Sequence, residues 1–371
     1  MDAVAVQGWR SADIIGLSTI ARMSSAAIRR LIGRYNCLDH ALDESPSELE
    51  RVGLSRRSLF NNGSRLRIDE SAQRELDRCR AARVSLVSIV EDEYPETLKQ
   101  IDYPPAVLYV RGRIDSAKTG VALVGTRRNS PYGAAVTEVF AREFAAAGCA
   151  VVSGLARGID TEAHRAALRS GGTTYAVIAS GVDRVSPAEN ARLSDEIIEA
   201  GGAILSEYPC GTRAVSAYFP RRNRIICGLS AAVVVMESGM SGGAMITADM
   251  ARSQGRKLFA VPGPVNASTS SGTNMLIRSG RATMVCTSGE VLKTLGQPAN
   301  TGRSAAYAIP NLGRHETAIC NALLRGDKHI DELQQQAELQ LSEILPVLVR
   351  LESRGLIRAL PGNRYAGQSH H

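Results

Sequence analysis

The chain has 371 residues with a formal net charge of +7, and 44% of its residues are apolar. Its length allows two or three domains, while its longest apolar runs, such as residues 231–236, are far too short to cross a bilayer. The seven scattered cysteines include no CxxC pair, and no basic segment followed by an apolar run opens the chain. We therefore expect a cytoplasmic protein without a disulfide framework, a zinc site, a secretory signal or membrane contact.

The excess positive charge is concentrated in the middle of the chain. Residues 121–300 carry a net charge of +5, whereas the regions before and after them are close to neutral. Most of this charge is arginine, whose planar guanidinium suits bidentate phosphate contacts better than the lysine ammonium does. The middle region is where an anionic partner is expected, although arginine richness can equally reflect genome base composition.

Residues 1–80 show short helical patterns separated by polar breaks. They predict a compact helical module similar to sterile-alpha-motif or helix-hairpin-helix domains. The segment that follows, residues 85–112, mixes short strands with prolines and leads into the next domain.

From residue 121 the pattern alternates regularly between strands and helices. Six runs rich in valine, isoleucine and alanine are separated by helix-length stretches: VALVG, AVVSG, TYAVIAS, AILSE, AAVVVME and KLFAVPG. Continuous apolar strands alternating with helices predict a parallel sheet covered on both faces. The sequence is therefore assigned to the α/β class, with an extended Rossmann-like domain over residues 81–295.

The last part of the chain has a different pattern. Residues 296–311 are rich in Gly, Pro, Ser and Asn, which is typical of a linker. Residues 312–371 then show three helical patterns and a strand-turn-strand candidate. This order predicts a C-terminal winged-helix domain.

Four predicted strands are followed by loops of similar composition. Residues 126–133, 155–160, 219–224 and 238–249 each bring Gly, Ser or Arg to the start of a helix. The carboxyl ends of parallel strands meet at one edge of the sheet. Backbone N–H groups, helix dipoles and guanidinium groups would therefore meet there, which predicts a phosphate-binding rim.

Familiar nucleotide and catalytic motifs are missing from the sequence. No GxGxxG follows the first strand and no GxxxxGK[ST] occurs, so we expect neither ATP nor NAD, and no other cofactor or metal. His164 lies one helical turn after Asp160, and the pair could form a base and its orienting group. We favour the alternative that Asp160 fixes the start of a helix. Ser153 lies outside any GxSxG motif, which argues against a hydrolase triad.

Six motifs between residues 94 and 290 give a specific resemblance. In order they are VALVGTRRNSPYG, VVSGLARGIDTEAH, LSEYP, FPRRNRIICGLS, SGGAMITADMA and FAVPG followed by SGTNMLI. In these runs and in its flanking modules the chain resembles the DNA-processing protein A (DprA/Smf) family. The resemblance implies a non-catalytic, homodimeric protein of natural transformation. Such a protein binds and protects incoming single-stranded DNA and loads the RecA recombinase onto it.

The resemblance also implies which residues bind DNA phosphates. Carried over position by position, the site comprises Gly125, Thr126, Arg127, Ser153, Gly154, Arg157, Gly158, Arg192, Phe219, Arg221, Arg222, Asn223, Arg224, Ser241, Gly242 and Gly243. The chain departs from the family pattern where Ser186-Pro187 replaces Tyr-Pro, which removes any stacking by that tyrosine. A second departure, Gly280-Arg281-Ala282, lies within residues 272–295, where we expect the dimer interface.

Helical spacing predicts which way the side chains of residues 221–229 point. Arg221 and Arg224 share one helix face, whereas Ile225, Ile226 and Leu229 point toward the sheet. This arrangement would lift guanidinium groups to the rim, where Phe219 could stack on an unpaired base. The alternative is that Phe219 is a core residue and that the arginines pair with Glu207 or Glu237.

Two other functions remain open at this point. The core also resembles nucleotide phosphoribohydrolases with a PGGxGTxxE signature, but Met250 stands where their catalytic glutamate would be, which leaves no carboxylate for acid–base work. The tail could instead be a double-stranded-DNA-binding regulator. Its candidate recognition helix carries Arg350 and Arg354 against Glu343 and Glu352, so we predict a packing or protein-contact role for it.

Overall fold

The computed structural model describes residues 8–20, 23–51, 65–298, 313–323, 326–353 and 356–367. These residues divide into two compact units. The larger unit runs to Gly263 and resumes at Ser268, whereas the smaller one comprises Pro264–Ala267 and the residues from 313 onward.

The larger unit is built on a nine-stranded sheet. Its strands are β1 (Ser85–Ser88), β2 (Val107–Gly112), β3 (Gly120–Gly125), β4 (Ala150–Ser153), β5 (Thr174–Val177), β6 (Ala203–Ser206), β7 (Ala232–Glu237), β8 (Lys257–Ala260) and β9 (Thr283–Met284). They lie in the order β1-β2-β6-β5-β4-β3-β7-β8-β9. Only the pairings of β2, with β1 and with β6, are antiparallel among these strands. The predicted parallel α/β sheet is confirmed.

Helices precede, connect and follow these strands. They are α1 (Ser11–Ile20), α2 (Ser25–Arg34), α3 (Leu38–Leu42), α4 (Pro46–Arg51), α5 (Arg65–Ala81), α6 (Glu96–Lys99), α7 (Pro131–Ala146), α8 (Ile159–Arg169), α9 (Ala191–Glu199), α10 (Tyr218–Gly228), α11 (Gly243–Ser253), α12 (Ser271–Arg278) and α13 (Ser288–Thr294). Short 3₁₀ turns at Ala188–Asn190 and Ser268–Ser270 precede α9 and α12. Among these described helices, none has the length and apolar character that a bilayer crossing requires.

Alternate residues of the central strands enter two different cores. In β3, Val121 and Leu123 pack with Phe140 and Phe144 of α7, while Val124 packs on the opposite face with Ile226 of α10. Side chains of a strand alternate between the two faces of its sheet, so a strand covered on both faces reads as an unbroken apolar run. This is why VALVG and AVVVM could be recognised as central strands.

The N-terminal helices share their core with the sheet. Ile14 and Leu31 belong to the same buried cluster as Tyr109 of β2 and Ile204 of β6. The indole of Trp9 donates a hydrogen bond of 2.7 Å to the carbonyl of Tyr35 within this layer. The described helices of residues 1–80 therefore cover one face of the sheet, while their assignment to a separate module stays a prediction.

The smaller unit has its own core. It contains helices α14 (Arg314–Leu323), α15 (Ile330–Ala337) and α16 (Leu341–Ser353) and an antiparallel sheet of β10 (Lys328–His329), β11 (Ile357–Leu360) and β12 (Arg364–Gly367). Ile319, Leu333, Ile344 and Leu348 are buried together between the helices. Three helices with a terminal β-hairpin follow the order expected from the sequence, and the winged-helix assignment itself stays a prediction.

Candidate nucleic-acid interface

The strand order fixes where a ligand can bind. From β3 the chain proceeds through β4, β5 and β6 to one side, then crosses back to place β7 on the other side of β3. In such open sheets, the loops that leave the two strands at this switch diverge and form a crevice at the carboxyl edge. Here a cleft of about 580 Å³ lies at that position, and its lining includes Gly125, the last residue of β3, and Ser238, which directly follows β7.

The cleft collects much of the predicted phosphate site. Nine of the predicted residues line it: Gly125, Thr126, Arg127, Phe219, Arg222, Asn223, Ser241, Gly242 and Gly243. The other seven lie outside its lining: Ser153, Gly154, Arg157, Gly158, Arg192, Arg221 and Arg224. The role of all sixteen in DNA binding stays a prediction, but the contacts below distinguish them.

The N-terminus of α11 faces the cleft without a cap. Its N-cap residue, Gly242, has no side chain, and the first turn of the helix contains no acidic residue. Gly242 has φ = 128°, a backbone conformation that favours glycine. A Cβ placed on Gly242 or Gly243 would meet no atom within 4 Å, so both residues border open space. An uncapped helix start of this kind attracts anions through its N–H groups and its dipole.

Two exposed arginines line the cleft together with the start of α11. Arg127 and Arg128 follow Thr126 at the end of β3, and both line the cleft. The guanidinium of Arg127 lies 5.1 Å from the centre of the Phe219 ring, a cation–π contact that holds it over α10. The backbone N–H of Arg128 donates to Thr126 Oγ1 at 3.2 Å. Two positive charges therefore line the same cleft as an uncapped helix start.

The loop before α8 is occupied by a carboxylate of the protein itself. Asp160 is buried, and its Oδ2 accepts hydrogen bonds from the N–H groups of Gly154 at 3.1 Å and Ala156 at 3.3 Å. Burial raises the pKa of Asp160, while the neighbouring Arg222 opposes that rise. Asp160 thus holds the start of α8 through the preceding loop, and these N–H groups are not available to a phosphate.

The start of α7 is also satisfied internally. Glu237, buried at the end of β7, accepts a hydrogen bond from the N–H of Ser130 at 2.9 Å through Oε2. The hydroxyl of Ser130 in turn accepts from the N–H of Gly133 at 3.0 Å, which caps the helix. Internal carboxylates therefore accept hydrogen bonds at the start of α7 and just before the start of α8. The start of α11 has no such carboxylate.

Arg222 serves the protein's own backbone. It is 4% exposed, and its Nη1 donates to the carbonyls of Gly154, at 2.6 Å, and Val177. Its Nε donates to Asn223 Oδ1 at 3.1 Å. Burial lowers the pKa of Arg222 to about 10, so the group stays charged at neutral pH. This buried arginine ties together the carboxyl ends of β4 and β5 beneath the cleft, and Asn223 links it to α11 by donating to Gly243 O at 3.3 Å.

The remaining predicted arginines are exposed or paired with carboxylates. Arg224 donates from Nη1 and Nη2 to the two carboxylate oxygens of Glu207, and the shorter of these hydrogen bonds, from Nη2 to Oε2, is 2.6 Å. This is the pairing that the alternative interpretation of the sequence proposed. Arg157 forms an ion pair with Glu189 at 2.5 Å, and Arg192 with Glu196 at 2.9 Å. Arg221 points to solvent.

Ser153 and Gly158 have structural contacts. The hydroxyl of Ser153 is buried and donates to the carbonyl of Leu123 at 2.7 Å, which joins β4 to β3. Gly158 has φ = 76°, and a Cβ there would lie 2.3 Å from the carbonyl oxygen of Thr126. The close approach of these two loops therefore requires glycine.

Asp160 and His164 do not form a catalytic pair. The Nδ1 of His164 lies 2.7 Å from Thr174 Oγ1, and the imidazole is fully buried. Burial, reinforced by Arg222, lowers the pKa of His164 to about 3. Within the described residues, no group of three or more His, Cys, Asp or Glu side chains is arranged to hold a metal ion.

Sequence reasoning missed several residues of the cleft. Arg128 lines it beside Arg127, and its charge and position in the same loop were available signals. Ile226 and Ile246 line it as well, but an apolar residue in a helix gives no sequence signal that separates a cleft from a core.

Comparisons with known proteins agree on one family. The family model described as DNA recombination-mediator protein A matches residues 85–296, more than half of the chain. The Escherichia coli protein named Protein Smf is 36% identical over 284 residues, which cover 72% of this chain and 73% of the relative. DNA processing protein DprA of Streptococcus pneumoniae is 42% identical over 206 residues, covering 55% of this chain and 72% of the relative.

Solved structures give the same result. The X-ray structure of DNA processing protein A from Streptococcus pneumoniae superimposes with a TM-score of 0.63 at 31% identity, covering 77% of this chain and 98% of the other. DNA processing protein A from Helicobacter pylori superimposes with a TM-score of 0.52 at 31% identity, and the match covers 57% of this chain and 95% of the other. That structure is described as giving insight into a unique single-stranded DNA binding mode.

Proposed function

The chain belongs to the DNA recombination-mediator protein A family, and from this premise we propose that it binds single-stranded DNA in the cleft between β3 and β7. The observation that carries the proposal is that the uncapped start of α11 lines the same cleft as Arg127 and Arg128. Phosphate would lie against the N–H groups of Ser241–Gly243, with guanidinium groups on its other side. The single-stranded DNA binding described for the Helicobacter pylori relative supports this assignment.

Backbone recognition of this kind has two consequences. Phosphates are the same in every sequence, so binding should depend little on base composition. Each phosphate contact releases counterions, so affinity should fall steeply with salt. Arg157 and Arg192 already have carboxylate partners, and we therefore assign the larger share of the phosphate contacts to the cleft residues.

We also propose that the protein acts without catalysing a reaction on DNA. Among the described residues of the cleft lining, Asp160 supplies the carboxylate, and its Oδ2 is already engaged by two backbone N–H groups. Met250 occupies the position of the phosphoribohydrolase glutamate. Release of a base from a nucleoside monophosphate would contradict this proposal.

The proposed role in recombination requires two partners. We propose a cytoplasmic homodimer that protects incoming single strands during natural transformation and loads RecA onto them. Residues 272–295 are the candidate dimer interface, since this segment contains the edge strand β9, where Met284 is 53% exposed. Sedimentation of the Met284→Lys variant tests this interface, because a buried lysine in an apolar contact would shift a dimer toward monomer.

The smaller unit suits a protein contact better than a DNA groove. Leu341, Leu345 and Val349 of α16 are exposed on one side of the helix, whereas a groove-binding helix presents cations to phosphates. Arg350, the described basic residue of that helix, pairs with Glu316 at 3.4 Å. Arg354 lies outside the described residues. We propose that this unit binds another protein.

Fluorescence anisotropy with labelled oligo-dT and a duplex of equal length, each at two salt concentrations, tests the DNA site. We expect preference for the single strand and about tenfold weaker binding by Arg127→Ala, with a shallower salt dependence. Arg142→Ala is the matched control, because Arg142 is a partly exposed arginine on α7 that does not line the cleft. The Arg221→Ala/Arg224→Ala variant measures the contribution of the helix α10 cluster. Duplex binding that equals or exceeds single-strand binding and survives Arg127→Ala would refute the cleft assignment.

A further inference from the structure

We infer that Cys79 and Cys210 form a peroxide-sensitive dithiol, and that its oxidation to a disulfide fastens the N-terminal helices to the nine-stranded sheet. Cys79 lies in the last turn of α5, and Cys210 lies in the loop that follows β6. Both are free thiols in this structure. Neither lines the cleft, so the inference is independent of the proposed function.

The two thiols meet inside one core. Cys79 is 1% exposed and Cys210 is 4% exposed, and both belong to the buried cluster that joins the N-terminal helices to the sheet. The Cys79 thiol is hydrogen-bonded to that of Cys210. The guanidinium of Arg78, the residue before Cys79, donates to the carbonyl of Cys210 at 2.6 Å. A Cβ on Gly211 would lie 2.8 Å from the same guanidinium, so the loop approaches α5 closely. A disulfide requires such an approach of the two chain segments.

The surroundings of the pair decide which thiol reacts first. Burial, together with the neighbouring Cys210 and Glu75, raises the pKa of Cys79 to about 12. Burial and Asp183 also raise the pKa of Cys210, but the hydrogen bond from Cys79 opposes that rise. Because the thiolate is the reactive form, Cys210 is the nucleophile and Cys79 is the second thiol. Both are mostly protonated at neutral pH, so the pair stays reduced until an oxidant is supplied.

Hydrogen peroxide is the oxidant that balances the reaction. The Cys210 thiolate attacks one peroxide oxygen, the O–O bond breaks, and the departing hydroxide takes a proton and leaves as water. The Cys210 sulfur, now a sulfenic acid, has given two electrons to the peroxide. The Cys79 sulfur then attacks it, the S–O bond breaks, and the hydroxyl leaves with the thiol proton as a second water. Glu75 Oε1 accepts a hydrogen bond from Cys79 at 3.9 Å and is placed to carry that proton.

The disulfide would join elements that lie far apart in the chain. Helix α5 precedes the sheet in sequence, whereas the Cys210 loop leads from β6 to α10. A cross-link between such distant residues restricts the unfolded chain and thereby stabilises the folded protein. Arg80 beside Cys79 is exposed and Gly211 beside Cys210 is half-exposed. Peroxide therefore reaches the thiols through a local opening and does not require global unfolding.

Peroxide treatment of the folded full-length chain tests the dithiol. We would incubate wild type, Cys79→Ala, Cys210→Ala and Cys149→Ala with hydrogen peroxide, block the remaining thiols with N-ethylmaleimide, and map disulfides by mass spectrometry of non-reduced peptides. We expect a link between Cys79 and Cys210 in the wild type and in Cys149→Ala. The link should raise Tm by about 5 °C, and dithiothreitol should reverse the rise. Cys149→Ala is the matched control, because Cys149 is as deeply buried but packs in a different cluster.

The wild type alone decides the inference, so a variant that fails to fold does not weaken the test. A link that forms in the folded protein, with a reversible rise in Tm, supports the assignment. If peroxide oxidises the exposed Cys286 but leaves the pair unlinked, or if the link forms only in urea, the dithiol site is wrong. A linked protein whose Tm does not rise would refute the fastening of the N-terminal helices.

Discussion

The starts of α8 and α11 are built alike yet have different chemistry. Each follows a central strand, each has a glycine with positive φ as its N-cap, Gly158 and Gly242, and neither cap supplies a side-chain hydrogen bond. The α8 end has Asp160 in its first turn, buried and bonded to the preceding loop. The α11 end has no acid in its first turn and opens into the cleft. A glycine loop at a sheet edge therefore indicates an anion site only when no internal carboxylate occupies it.

The largest effect, on the free energy of unfolding, is expected from Arg222. This residue supports the start of α8, where Asp160 is bonded to the preceding loop. Arg222→Met removes the bonds to Gly154 and Val177 and leaves Asp160 buried without its positive neighbour. Breaking a buried charge arrangement in this way should lower the free energy of unfolding by about 3–5 kcal/mol. Urea unfolding measures the loss. The exposed neighbour Arg221 provides the control, since Arg221→Met should change stability by less than about 0.5 kcal/mol. A loss for Arg222→Met as small as that of the control would mean that Arg222 is not structural.

The next effect concerns His164 on α8 and depends on pH. Burial lowers its pKa to about 3, so the folded protein keeps the imidazole neutral while the unfolded chain binds a proton below its ordinary pKa of about 6.5. The stability that this group contributes is present in full above about pH 6.5 and is lost as the pH falls toward 3. At pH 5 the loss is about 2 kcal/mol.

Urea unfolding at pH 7 and pH 5, on wild type and His164→Asn, measures this contribution. The variant should lose about 2 kcal/mol less than the wild type over that interval. Identical losses would show that His164 titrates in the folded state much as it does in the unfolded chain.

A smaller effect, on the affinity for oligo-dT, is expected at the start of α11, which borders the cleft. Gly242→Ala places a side chain at the helix start in a backbone conformation that disfavours it (φ = 128°), and we expect about tenfold weaker binding of oligo-dT because the anion site depends on this turn. Gly171→Ala is a close control, since Gly171 also has positive φ and no atom near its Cβ position but lies after the end of α8. If Gly242→Ala and Gly171→Ala bind oligo-dT with equal affinity, the start of α11 is not an anion site that the start of α8 lacks.

The smallest effect on oligo-dT binding is expected from two surface arginines that pair with carboxylates, Arg157 and Arg192. Arg157→Ala and Arg192→Ala each break an exposed ion pair, and such pairs are worth little. Each substitution should weaken oligo-dT binding by less than about threefold. A loss as large as that of Arg127→Ala in the same anisotropy assay would extend the DNA site beyond the cleft to the α8 side of the rim.

Local sequence patterns predicted a large part of this protein. The alternation of apolar strands with helices predicted the parallel sheet, and strand ends with Gly, Ser and Arg predicted the edge where the cleft lies. The difference between α8 and α11 is also readable, since Asp160 stands in the first turn of one helix and no acid stands in the first turn of the other. The same patterns did not separate Arg222, which is buried and bonded to backbone carbonyls, from Arg221 and Arg224, because all three were assigned to the phosphate site.

Other features were decided only by the tertiary structure. Glu237 satisfies the start of α7 from 107 residues away along the chain, and Arg224 of α10 pairs with Glu207, which directly follows β6. The switch between β3 and β7, which opens the cleft, is a property of strand order. Periodicity fixes which side chains share a face because the backbone geometry repeats along each element. It carries no information on which distant charge that face will meet, so the packed sheet alone separates the arginines that support the fold from those free to bind a phosphate.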